Sequence, residues 1–186
     1  FAATLLGLSG PAELSDLAQT VSNSGKVVFV PALAGLGAPH WHADARALFS
    51  GITFNTTRAQ MARAVTDSIA FQVHDVFKAM AAQSPAPLGR LFVDGGPSKN
   101  SFLMQCVADA LDHPVIQCDA AEASALGAAY LAGLTLGLWD SLEAIKALPR
   151  KTATLDAKES DVSRRLTTWQ DAIFRSTVSP TSSMGE

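Results

Sequence analysis

Residues 91–100 read LFVDGGPSKN, an order that few folds accommodate. Leu91, Phe92 and Val93 favour extended backbone. The run stops at Asp94, and Gly95 and Gly96 then leave the main chain without Cβ atoms just before a proline and a serine suited to opening a helix near Ser98. A strand that turns through bare backbone into a helix presents unpaired N–H groups where a phosphate or a ribose can approach. Read alone, the pattern also fits an ordinary tight turn, because short motifs of this kind match by accident.

The flanking sequence places the motif in an alternating order of strands and helices. Residues 1–22 read as helix, broken at Gly10-Pro11, and the β-branched run 27–30 reads as a strand that Pro31 ends. Residues 31–42, PALAGLGAPHWH, carry too much glycine and proline for regular structure, and 47–49 form a short strand ending at Gly51. Thr57 and Gln60 have the spacing of a capping box. After them Met61, Val65, Ile69, Val73, Val76, Phe77 and Met80 recur at helical intervals, which predicts the longest helix over 57–82. Leu103, Val107, Ala110 and Leu111 give the helix after the glycines one apolar face. Val115 and Ile116 read as a buried strand. Asp119 and Glu122 then lead into ASALGAAYLAGL, a helix whose small residues let its backbone lie close to a neighbour, ending at Gly133 or Gly137. A short helix over 141–147 and a terminal one striped by Val162, Leu166, Trp169 and Ile173 complete the order, and 179–186 read as a frayed, disordered tail. This alternation predicts one α/β domain over 1–178 with helices on the faces of its sheet.

Composition removes several classes of function. The 14 Lys and Arg are scattered along a chain of net charge -3, so a nucleic-acid partner is not expected. Every apolar stretch is interrupted well before the ~18 residues of a membrane span, so no membrane partner is expected either. Cys106 and Cys118 lack CxxC spacing and read as small buried hydrophobes in a reducing, cytoplasmic setting. The first residue is Phe1 rather than methionine and already lies in helix-like sequence, so the chain is expected to be part of a longer enzyme.

Four blocks, in this order, carry a family resemblance: FVPALAGLGAPHW at 29–41, GITFNTTRAQMARAVTDSIAFQVHDVFKAM at 51–80, LFVDGGPSKNSFLMQ at 91–105 and ASALGAAYLAGLTLGLW at 123–139. The chain resembles the C-terminal domain of an FGGY-family carbohydrate kinase, most like the glycerol kinases. That resemblance implies an actin-like, ribonuclease-H-like domain with a mixed sheet flanked by helices. It also implies a two-domain enzyme that binds ATP and Mg²⁺ between its halves and phosphorylates a sugar or polyol, with glycerol the first guess. It places nucleotide binding at Gly95, Gly96 and Asn100, with Gly96 near the phosphates and Asn100 on the adenosine. The phosphate loop, the substrate pocket and the catalytic base are placed before Phe1, so no catalytic residue and no metal ligand is assigned within the chain. Relatives of this kind often pair, so a homo-oligomer is expected. Pro97, Lys99, Thr66 and the pair Asp112-His113 depart from the usual pattern.

Other residues read more plainly. Asp94 is expected to cap the glycine turn by accepting backbone N–H bonds rather than to hold a metal-bound water. His40, His42 and Asp44 belong to a structural loop rather than a metal site, and Gly35 and Gly37 form turns. Ser124 and Gly127 are assigned to packing, Arg58 and Arg63 to surface salt bridges or solvent, and Met61 and Met80 to the core. Two other functional classes remain open. One is a non-catalytic actin-like sensor or scaffold, for which Pro97 and Lys99 speak. The other is a dinucleotide-binding domain, for which the chain lacks GxGxxG and a following acidic residue.

Overall fold

A computed structural model describes residues 1–118, 123–149, 151–158 and 162–178. The approach to the small-residue helix at Asp119 and Glu122, and the tail 179–186, lie outside the described residues.

The organising element is helix α3, Arg58–Gln83, and the residues that start it are those the spacing predicts. The Thr57 side chain accepts from the Gln60 backbone N–H, and the Gln60 side chain accepts from the Thr57 N–H, so two otherwise unpaired donors are satisfied reciprocally. Around α3 are gathered the short α1 (Ala2–Leu5), α2 (Pro11–Gln19) and an antiparallel pair of strands, β1 (Val28–Val30) and β2 (Leu48–Ser50). Beside α2 lies α4 (Ser101–Leu111), which packs on both α3 and the second sheet.

That second sheet is mixed. Strand β3 (Leu91–Val93) runs parallel to β4 (Val115–Cys118), with Leu91 opposite Val115, and β4 runs antiparallel to β5 (Thr152–Leu155). β5 has no counterpart in the sequence reading. Its TATL carries one apolar residue that is even partly buried, so no alternation marks it, and only pairing with β4 reveals it. Helix α5 (Ala123–Thr135) and α6 (Leu142–Lys146, capped by the Ser141 side chain on the Ala144 N–H) lie between β4 and β5, and α7 (Val162–Thr177) follows β5. The main core joins β1, the middle of α3, α4, β4 and α7, with Trp169 fully buried against Phe71.

The burial of α3 departs from its apolar stripe. Ile69, Val76 and Met80 are exposed, whereas Arg63, Thr66, Asp67, Ser68 and His74 are buried. α2, α4, α7 and β1 surround the middle of the helix, so its polar residues have no free face and pair internally instead. Arg63 is therefore not a surface residue. It donates to Asp67 Oδ1 at 2.9 Å and to the Ser22 carbonyl at 2.8 Å, and its guanidinium lies over the Phe102 ring. Arg58 is exposed but donates to the Leu6 carbonyl at 2.7 Å, tying α1 to α3.

In the glycine-rich loop 31–42 the second half is closed by the Leu36–His42 backbone pair. It is pinned by His40, whose Nε2 lies 2.9 Å from Asp75 Oδ2. Asp75 also accepts from Trp169 Nε1 at 2.7 Å and approaches His74 Nδ1 at 3.2 Å. Burial pushes this carboxyl upward, but the hydrogen bonds from His74, Trp169 and His40 outweigh it and hold Asp75 below the ordinary carboxylate range. Both thiols are free. Cys106 is buried and pushed up to about 12 chiefly by desolvation, whereas Cys118 is only half-buried.

Helix α5 is the largest departure from expectation. Gly133 alone is buried, its bare Cα lying against the Trp139 ring where a Cβ would collide, and Tyr130 meets the same ring edge-on at 5.5 Å. Ser124 is exposed and Gly127 half-buried, and Leu126 and Leu131 stand in solvent. Among the described residues, no sheet or helix covers the small-residue face.

Candidate functional site

Strand β3 ends at Val93, and the chain reverses at Gly95, whose φ of +85° an L-side chain rarely adopts. Gly96 follows with helical dihedrals, φ -57° and ψ -53°. A Cβ built on either glycine would meet nothing within 4 Å. The main chain here faces open space, and neither glycine N–H is hydrogen-bonded among the described residues.

The helix after the glycines begins later than Ser98. Pro97–Lys99 form a single 3-10 turn in which the Ser98 hydroxyl donates back to the Gly95 carbonyl at 2.8 Å, and Gln117 on β4 donates to the Ser98 carbonyl. α4 then starts at Ser101 with Asn100 as its cap, Oδ1 accepting from the Leu103 N–H at 3.1 Å. The side chain of Asn reaches the third N–H of the helix, so once the 3-10 turn has ended the cap falls on Asn100. Asp94 does not cap the turn, since Ser98 already closes it. Its carboxylate is exposed and accepts no hydrogen bond among the described residues.

Gly96 and Asn100 share a cavity of about 780 Å³ whose other walls are Pro11, Ser15 and Gln19 of α2, Thr66 and Ile69 of α3, and Phe102 of α4. Gly95 stands behind it at the turn. The exposed Ile69 and the departure Thr66 thus find their place on the cavity wall, with the Thr66 hydroxyl turned back to the Ala62 carbonyl. Sequence reasoning missed Ser15, which is 8% exposed and whose Oγ accepts from Asn100 Nδ2 at 2.9 Å. Eighty-five positions separate the two, and nothing local to either marks the pair. A second cavity, about 610 Å³, lies between β1, α3 and α7 beside Asp67 and Trp169 and does not touch the glycine corner. Among the described residues no cluster of His, Cys, Asp and Glu could enclose a metal ion, and no helix is long and apolar enough to cross a membrane.

The chain is now comparable with known proteins on both sequence and shape. The C-terminal domain of the FGGY family of carbohydrate kinases matches residues 3–136. The chain belongs to that family. A glycerol kinase from Myxococcus xanthus is 46% identical over 165 residues, covering 88% of this chain and 33% of that protein. An apulose kinase from Pectobacterium atrosepticum is 43% identical over 178 residues, covering 95% of this chain and 36% of that protein. In shape, the chain matches a crystal structure of Plasmodium falciparum glycerol kinase with ADP at a TM-score of 0.83 and 36% identity, over 92% of this chain and 35% of that one.

This FGGY chain therefore spans about a third of the length of the relatives it matches. Its mixed sheet and flanking helices are the actin-like arrangement expected from the four blocks. Its named relatives are kinases, in line with the leading expectation rather than with a sensor or a dinucleotide-binding domain.

Proposed function

We propose that this FGGY chain is the nucleotide-binding part of a kinase that transfers the γ-phosphoryl group of ATP to a hydroxyl of a sugar or polyol, glycerol foremost. The observation that carries the reading is the open corner at Gly95 and Gly96, with two unbonded N–H groups and a cavity alongside. Such a corner suits phosphate oxygens, because N–H donors approach them without an intervening side chain. The relatives support the acceptor class: two bear the names glycerol kinase and apulose kinase, and the matched crystal structure holds ADP.

Within this chain the work is binding and orientation. Gly95 and Gly96 would receive phosphate oxygens, and Asn100 the adenosine. Bound Mg²⁺ would neutralise charge on the phosphates, and Asp94, unpartnered at the same turn, could hold one of its waters. The base that accepts the substrate proton would come from the part of the enzyme outside these residues, and the fragment alone would be inactive. The whole enzyme would be a cytoplasmic homo-oligomer.

Gly96→Val is the decisive variant. Gly96 already has helical dihedrals and space for a side chain, so the protein should fold while the branched Cβ blocks phosphate. In the intact enzyme the KM for ATP should rise far more than that for the acceptor, measured by coupled ADP release with glycerol, xylulose and ribulose. Parent-like ATP kinetics would reject the site, and no turnover of any polyol or sugar by the parent would reject the activity.

A further inference from the structure

Asn100 is held by two partners with different purposes. Its Oδ1 is committed to the Leu103 N–H, so the amide cannot flip without uncapping α4. Its Nδ2 gives one hydrogen to Ser15 Oγ at 2.9 Å, across the cavity mouth from α2. Among the described residues the second Nδ2 hydrogen is left over. Ser15 is buried yet its own hydroxyl hydrogen has no acceptor among the described residues, while its Oγ also accepts a long 3.5 Å bond from Gln19 Nε2. Two donors, one on each side of the mouth, thus remain unspent beside the open Gly96 backbone.

We propose that Ser15 is a positioning residue for the nucleotide, fixing the Asn100 amide from the opposite helix so that its free Nδ2 hydrogen meets a purine nucleoside phosphate. The inference rests on the nucleotide reading of this cavity. The cap fixes the plane of Asn100 only at Oδ1. The bond to Ser15 restrains the other end, so the free Nδ2 hydrogen points consistently into the mouth. A ligand then meets an oriented donor and loses less side-chain freedom on binding. Ser15 lies on α2 and neither caps nor continues α4, so removing its hydroxyl leaves the Leu103 bond in place.

The test uses the intact enzyme, with calorimetric titration of ADP alongside steady-state kinetics. Ser15→Ala should weaken ADP roughly three- to tenfold, the loss of about one hydrogen bond. It should raise the KM for ATP by a similar factor while the acceptor KM keeps its parent value. Ser15→Thr, which retains the hydroxyl, should recover most of the affinity. The Ser15→Ala, Asn100→Ala pair should bind no more weakly than Asn100→Ala alone. Parent-like ADP binding by Ser15→Ala, or a loss spread equally over ATP and acceptor, overturns the proposal. Gly96→Val separates the two readings: if it abolishes ADP binding while Ser15→Ala binds ADP as the parent does, Ser15 alone is misassigned, and if Gly96→Val too binds normally, the nucleotide cavity itself falls.

Discussion

Asp75 serves three neighbours with two oxygens, and its carboxylate form is what all three require. Because its folded carboxyl is held below the ordinary 3.8, the stability it contributes is complete above that value and is lost as pH falls through the lower folded one. A melting series between about pH 6 and pH 2 should therefore fall more steeply for the parent than for Asp75→Asn, whose side chain cannot titrate. Equal slopes would mean that the cluster does not govern acid stability. Asp67 is more deeply placed, 2% exposed, and pairs with Arg63 at 2.9 Å and Arg165 at 3.3 Å, while its Oδ2 has no hydrogen-bond partner among the described residues. Asp67→Ala leaves two guanidinium groups without this carboxylate and should cost about 3–5 kcal/mol by urea unfolding. A loss under about 1 kcal/mol would show that the surrounding carbonyls suffice. The cysteines divide by access: timed alkylation at neutral pH should label Cys118 well before Cys106, whose thiol is buried and held protonated.

Among the elements, α3 was the most legible and α5 the least. The capping box put the start of α3 within a residue, because both hydrogen bonds form between neighbours in sequence. Thr57→Ala should accordingly destabilise the protein by about 1 kcal/mol, read from the denaturation midpoint at constant slope. Which face of α3 would be buried was not legible. Arg63 and Asp67 pair at i,i+4 as surface residues commonly do, and only the arrival of α2 and α7 buries them. The same limit hid Ser15, whose partner Asn100 is brought up by the packing of α2 beside α4. Gly95 and Gly96 could be read from the chain because the constraint is local, an apolar run reversing through bare backbone. The cap at Asn100 rather than Ser98 was not legible, because a proline such as Pro97 opens an α-helix, as Pro11 does, as readily as a 3-10 turn.

At the scale of the whole molecule, the packing is uneven. α3 and α4 sit among neighbours on most sides, whereas among the described residues α5 leans chiefly on Trp139 and β3 is paired on one edge only, with Phe92 61% exposed. Amide hydrogen exchange on the 186-residue chain should therefore be slowest through the middle of α3 and α4 and fastest in α5. Uniform protection across all three would contradict the packing described. The leucines of α5 have a practical consequence as well. A folded polypeptide that keeps Leu126 and Leu131, and Leu136 just past the helix end, in water behaves in some respects like a chaperone client. Handled by itself, it should brighten an environment-sensitive dye such as ANS without any denaturant, cling to hydrophobic chromatography media and self-associate as its concentration is raised.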